Sequence, residues 1–179
     1  MNYILHLIVF IEIYSILALS LNLIVGYNGI LSLAHSAFFG IGAYVVSIVL
    51  IYTNSFIFAF IAAIVISAIS GLILALSASR FKGDIFILVT LAFQVVFYSF
   101  VYNATALTKG PYGIAGIPRM NILNGLFDNI VLETVILYAV ITLIVFIFFK
   151  ILLKSNFALA LKSVRDNELA GSRAIVEHQ

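Results

Sequence analysis

Phe56-Ile57-Phe58-Ala59-Phe60-Ile61-Ala62-Ala63-Ile64-Val65-Ile66-Ser67-Ala68-Ile69-Ser70-Gly71-Leu72-Ile73-Leu74-Ala75-Leu76-Ser77-Ala78-Ser79 carries no charged residue and shows no alternating polar face. At a rise of about 1.5 Å per residue such a run is long enough to cross a bilayer as a helix, and the helix satisfies its own peptide groups where lipid offers them no partner. A membrane β-barrel needs alternation over strands of about ten residues, which this run lacks. The charges around it are sparse. None lies between Glu12 and Arg80, between Asp84 and Lys109, or between Glu133 and Lys150. Across 179 residues, 64% are apolar and 9% charged, against about 45–50% and about 25% in soluble domains. The fold class is therefore an all-α, polytopic transmembrane bundle. The lack of Cys excludes disulfides, thiolate metal sites and a cysteine nucleophile. Met1 to Phe10 holds no Lys or Arg, so the N-terminus reads as a retained span and not as a cleaved signal peptide.

Working outward, the pattern predicts five spans at about 3–25, 30–52, 56–79, 85–102 and 131–153, with an outer loop over 103–130. Residues 1–153 form the transmembrane domain, and 154–179 a polar segment outside it. Gly26-Tyr27-Asn28-Gly29 ends the first span, and Gly26 and Gly29 permit a broken or re-entrant chain of the kind that lines enclosed cavities in transporters. With directions alternating, Arg80, Lys82, Lys150, Lys154, Lys162, Arg165 and Arg173 share one side, against Lys109 and Arg119 on the other. Lys and Arg accumulate on the cytoplasmic side, which puts the N-terminus and long loop outside and the tail in the cytoplasm.

Polar residues within the spans are the candidate functional groups. Ser32, His35, Ser36 and Phe39 stand at i, i+3, i+4 and i+7 and are predicted to share one helix face. Thr90, Gln94 and Tyr98 make a second stripe. Both read as pathway or gate elements or as interhelical hydrogen-bonding groups, since polar side chains in spans avoid lipid. Ala59, Ala63, Ser67, Gly71, Ala75 and Ser79 recur every fourth residue, a small-residue stripe whose plain reading is close helix packing. Glu12 is an acid well inside a span. Placing it near the bilayer centre costs about 2.5–3.5 kcal/mol, so it requires a partner, a proton or a shallower position. In the loop, Gly110, Gly113 and Gly116 lie between Pro111 and Pro118 and favour tight turns. The tail from about Phe157 to Val176 has the spacing of a short amphipathic helix of mixed charge, which fits a protein partner better than an anionic lipid surface.

Leu21 to Tyr44, containing Gly26-Tyr27-Asn28-Gly29-Ile30-Leu31-Ser32-Leu33-Ala34-His35-Ser36, resembles the signature of permease subunits of branched-chain amino-acid ABC transporters. Lys82-Gly83-Asp84 with Val89-Thr90-Leu91-Ala92-Phe93, the stretch Gly110 to Pro118, and Ala160 to Ala170 agree in order and spacing, so the resemblance extends over nearly the whole chain. It implies a multi-pass subunit of a bacterial or archaeal plasma membrane (the cell inner membrane). Substrate would arrive from an extracytoplasmic solute-binding protein, separate ABC ATPase subunits would hydrolyse ATP, and a second permease subunit, identical or paralogous, would pair with this one. Amino acids, short amides and urea all suit such a permease. The stretch containing Leu161, Arg165, Asp166, Asn167, Glu168, Leu169 and Ala170 corresponds to the family's ATPase-coupling segment. No catalytic residue, cofactor or metal is implied, and no nucleic-acid partner. The family usually has Gly at the place of Ala34, departs from Gly171-Ser172-Arg173-Ala174-Ile175, and continues through further spans, so the chain reads as a C-terminally truncated or split permease. Two other classes are an intramembrane hydrolase using Ser32 or Ser36 with His35, which lacks an orienting carboxylate, and a non-transporting permease fragment.

Overall fold

The computed structural model describes residues 2–27, 29–81, 83–118, 130–156, 158–159, 161–163 and 165. Its main elements are α1 (Asn2–Asn22), a π-helical turn (Leu23–Tyr27), α2 (His35–Thr53), α3 (Phe56–Ala78), α4 (Asp84–Asn103), α5 (Thr105–Thr108), a 3₁₀ turn (Gly110–Tyr112) and α6 (Ile130–Lys154). Five segments are long and apolar enough to cross a membrane: Tyr3–Tyr27, His35–Thr53, Phe56–Ala78, Asp84–Asn103 and Val131–Lys154. These match the predicted spans except at the start of α2. The chain leaves the helix after Tyr27 and resumes it only at His35. Gly29, with φ +74°, supplies the left-handed backbone that this exit needs.

The chain divides into two compact units, Met1–Leu31 with Asn121–Gln179, and Ser32–Met120. That division cuts across the single transmembrane domain expected over 1–153. In the first unit α1 packs along α6. In the second, α2 and α3 form the main pair and α4 rests on both.

The second unit shows why its helices approach closely. A Cβ on Gly40 of α2 would stand 2.8 Å from a ring carbon of Phe97 on α4, so the glycine admits the aromatic edge. Ala59 and Ala63 are buried on α3, and Ser67 and Gly71 are half-buried, Ser67 Oγ lying 3.9 Å from where a Gly42 Cβ would be. The expected small-residue stripe then departs from the seam. Ala75 and Ser79 are exposed, and Leu74 and Ala78 are buried in their place. The cause is helical pitch: a four-residue step overshoots the turn of about 3.6 residues, so a strict i+4 stripe rotates off any fixed contact line, and the seam steps back by one residue. Leu74 and Ala78 join Ala34 in a buried cluster flanked by Phe38, Phe86, Val89 and Phe93. Phe38 and Phe93 meet with centroids 5.6 Å apart, a pairing worth about 0.5–1.5 kcal/mol beyond its area. Ala34 itself is fully buried with φ −73°. Its backbone is ordinary for an L-residue, so the methyl in place of the family's usual glycine is accommodated.

Outward-facing aliphatics such as Ile57, Ile69 and Leu76 are more than half exposed, as expected of side chains that meet lipid. After α4 the chain folds into a compact cap. Thr108 is buried; its hydroxyl donates to the Val101 carbonyl at 2.6 Å and accepts from the Gly110 N–H at 3.2 Å. Gly110, Gly113 and Gly116 all have positive φ, in keeping with the turns expected there. Gly110 also faces the Tyr102 carbonyl, 2.8 Å from an added Cβ, whereas a Cβ on Gly113 would meet open space. Both replacements strain the backbone, by about 1–3 kcal/mol each, Gly113 standing at φ 66° and ψ 174° where only glycine is common. Gly110→Ala, which also meets the Tyr102 carbonyl, and Gly113→Ala are each expected to lower the thermal midpoint in detergent, and an unchanged midpoint for either would contradict the cap geometry.

Candidate functional site

The non-helical stretch before α2 holds the first group of expected site residues. Because α2 begins at His35, Ser32 lies outside the helix, and the predicted common face of Ser32, His35, Ser36 and Phe39 does not form. The physical reason is that α2 buries Ala37 and Ile41, with Ala34 just before it, and leaves Ser36 and Phe39 exposed; His35 is half-buried between the two faces. The same displacement removes the one-helix geometry that a Ser32 and His35 pairing for hydrolysis would have used.

Thr90 is where the two polar stretches meet. Its side chain is wholly buried, accepts the Leu33 N–H at 3.1 Å, and donates to the Ile87 carbonyl at 2.8 Å. A partly buried peptide N–H outside a helix is favoured by such an acceptor. Thr90 thus acts as a pin for the non-helical chain before α2, with both its donor and one lone pair engaged. Gln94, one turn further, is half-buried, and Tyr98 is 66% exposed. The polar stripe of α4 therefore runs from the interior outward instead of lining one surface. The neighbouring cavity of about 570 Å³, lined by Ile41, Tyr44, Ile66, Phe93 and Phe97 among others, is almost entirely apolar.

The first unit brings together residues that the sequence kept apart. Glu12, Ser15 and Asn22 of α1 and Thr142 of α6 line a cavity of about 670 Å³, with Leu19, Leu143 and Phe146 among its apolar walls. Glu12 Oε2 and Thr142 Oγ1 are both buried without a hydrogen bond among the described residues. Thr142 went unnoticed in the sequence because a lone threonine in an apolar run carries no signal; only its packing opposite Glu12 gives it weight.

At the end of α1 the contacts are more specific. Arg165 donates from a terminal guanidinium nitrogen to the Gly26 carbonyl at 2.9 Å, and the Lys162 ammonium stands 5.2 Å from the centre of the Tyr27 ring. The last carbonyls of a helix have no partner within it, and the helix dipole makes that end negative, so cationic donors are favoured there. The charge-assisted bond contributes about 1.5–3 kcal/mol and the cation–π contact about 0.5–1 kcal/mol. A Cβ on Gly29 would stand 2.7 Å from the Arg165 side chain. The described residues around Arg165 are helical, with Ala158 buried, Leu161 and Arg165 half-buried, and Leu159, Lys162 and Ser163 exposed. Arg165, expected at a partner surface, thus turns its head group to its own first span. Asp166, Asn167, Glu168, Leu169 and Ala170 lie outside the described residues. No cluster of metal-ligating side chains occurs among the described residues.

Compared with known proteins, residues 3–174 match the family model of the permease component of branched-chain amino-acid transport systems. The chain is 37% identical over 108 residues to the high-affinity branched-chain amino acid transport system permease protein LivM of Salmonella typhimurium, an alignment covering 60% of this chain and 25% of that protein. It is 36% identical over 108 residues to LivM of Escherichia coli, with the same coverage. The chain thus spans about a quarter of the length of the curated relatives it matches. No solved structure matches it.

Replacing Thr90 tests the pin described above. Thr90→Val keeps the shape but strands the Leu33 N–H, and is expected to cost about 1–3 kcal/mol. Thr90→Ser keeps the hydroxyl and loses one methyl, about 0.8 kcal/mol. Thermal unfolding in detergent should rank wild type above Ser above Val, and a Val variant as stable as Ser would refute the role.

Proposed function

The chain belongs to the family of permease components of branched-chain amino-acid transport systems, and from this membership we propose that it acts in an ATP-driven importer, as the membrane unit through which branched-chain amino acids or related small polar solutes pass. The observation that carries the reading is the interrupted membrane segment. After a π-turn the chain is non-helical over 29–34 before α2, with the Leu33 N–H held by a threonine from another span. Transporters use breaks between helical segments beside the substrate path, and this break joins the first two spans.

Ser32, His35 and Ser36 flank this break and are the proposed pathway or gate groups, with Gln94 on the adjoining helix. Thr90 holds the break in shape. Ala63, Ser67 and Gly71 form the packing surface over which α2 and α3 move, and Ala75 is set aside from that surface because it is exposed. A solute-binding protein delivers substrate from outside, and a second permease subunit completes the membrane assembly. ATPase subunits dock on the cytoplasmic segment 154–179, where Leu161 and Asp166 to Ala170 form the contact. Nucleotide-driven closure of the ATPases moves that segment and tilts packed spans between outward- and inward-facing states.

The orientation has the N-terminus outside and the tail in the cytoplasm. It rests on the excess of Lys and Arg on the side of the tail, and the contacts between the end of α1 and residues 162–165 agree with four spans lying between two points on one side. A reporter fused after Gln179 should be active only in the cytoplasm. In cells containing the whole transporter, leucine uptake should require the ATPase subunits, and Glu168→Lys should lower it by about tenfold, the equivalent of about 1.4 kcal/mol at one contact. Uptake indifferent to the ATPases, or a reporter active only outside, would overturn the proposal.

A further inference from the structure

The two stretches of this sequence that most resemble their family lie 139 residues apart at Arg165 and Gly26, and in the first unit they touch. From that contact we propose that Arg165 and Lys162 latch the helical segment beyond α6 onto the π-wound end of the first span, making them positioning residues that transmit movement to the break at Gly26 and Gly29.

Three independent features meet at this point. The Gly26 carbonyl belongs to a π-turn, a wider winding with looser hydrogen bonding than the α-helix before it, and it accepts the guanidinium at 2.9 Å. Tyr27 offers its ring face to the Lys162 ammonium at 5.2 Å. Gly29 has φ +74°, and the Arg165 methylenes fill the space where a Cβ would be, at 2.7 Å. A residue with a side chain there would be strained in its backbone and would also expel the arginine. The glycine is thus required both by the turn and by the latch, while Gly26 has the separate constraint of the neighbouring Asn22 amide oxygen.

The arrangement also divides labour within the segment after α6. Arg165 turns toward the first span and is half-buried, whereas Leu159 is exposed. A partner that shifts the exposed side must carry Arg165 with it. Because Arg165 grips a backbone carbonyl rather than a side chain, the pull falls directly on the main chain at the π-turn. Among stretches of the first span, a π-turn followed by Gly29 is the least resistant to rewinding, since one φ/ψ change at a glycine is inexpensive. The latch couples a cytoplasmic displacement to the place where the first span ends. Its transport role presupposes an importer; the contact itself does not.

The chain has no Cys, so a pair of introduced cysteines reports this contact without background. With Tyr27→Cys and Lys162→Cys together, a short bismaleimide carrying a reducible disulfide should link the two positions in the purified full chain. Tyr3→Cys with Lys162→Cys, at the far end of the same first span from Tyr27, serves as the control. Failure to link the test pair under conditions that label both cysteines would overturn the latch, whether or not any transport is measured. In the whole transporter, linked molecules should lose at least about tenfold in leucine uptake and regain it on reduction. Uptake that persists after complete linkage would also overturn the proposal. Arg165→Ala should lower the number of leucines taken up per ATP hydrolysed by about fivefold or more, with Arg165→Lys recovering part of the loss because it keeps the charge but not the fork. A parallel fall in both activities that tracks protein abundance would mark Arg165 as merely structural and refute the role. If wild type takes up no leucine, the importer reading fails, and the linkage result decides the contact alone.

Discussion

A peptide group that leaves a helix loses its intrahelical hydrogen-bond partner, and between its first two spans this chain supplies side-chain partners from far along the sequence. On one flank of that exit, Gly26 presents a carbonyl at the end of the π-turn, and Arg165 supplies the donor from 139 residues away. On the other flank Leu33 presents an N–H, and Thr90 supplies the acceptor from 57 residues away. Elsewhere the spans satisfy their own backbones, so their mutual arrangement is free to follow side-chain shape. In the first unit Arg165 holds the end of the first span, and in the second Thr90 holds the chain before α2, so neither is set by local turn propensity alone.

That division explains the character of each unit. Ser32–Met120 is organised by close approach: Gly40 receives Phe97, small residues line the first half of the α3 seam, and an aromatic pair closes the cluster around Ala34. No hydrophobic force drives helices together in lipid, so surface fit and a few hydrogen bonds decide the packing. Met1–Leu31 with Asn121–Gln179 is organised instead around polar groups at two depths. Glu12 and Thr142 lie near the middle of their helices and line one cavity, and the cationic pair Lys162 and Arg165 lies at the end of the first span. A carboxylate in an apolar span and a guanidinium on a helix terminus answer to opposite demands. The first lies within an apolar seam, whereas the second joins a terminus whose dipole already favours it.

Much of the fold was legible because it follows from quantities that a sequence carries directly. Charge-free runs of bilayer length mark the five spans, and positive φ at Gly110, Gly113 and Gly116 agrees with the turns their spacing favours. The motifs from Leu21 to Tyr44 and from Ala160 to Ala170 pointed to the family that the comparison then matched over residues 3–174. The site was less legible. Helical periodicity was extended through Ser32, although Thr90 captures the Leu33 N–H and postpones the start of α2 to His35. A strict four-residue stripe was followed to Ala75 and Ser79, although the seam had already stepped back to Leu74 and Ala78.

By itself, then, the sequence determined that this is a helical membrane protein, roughly where each span runs, which polar residues are rare enough to matter, and the transport family to which it belongs. Apolarity, charge spacing and local turn chemistry are properties of neighbouring residues, and no folding is needed to see them. Only the tertiary structure decided what those rare residues do. Thr90 became a pin, Arg165 turned toward Gly26, and Thr142 came to share a cavity with Glu12. The physical reason is that a polar side chain in an apolar span is defined by the group it meets, and that group comes from a part of the chain that no local pattern places beside it.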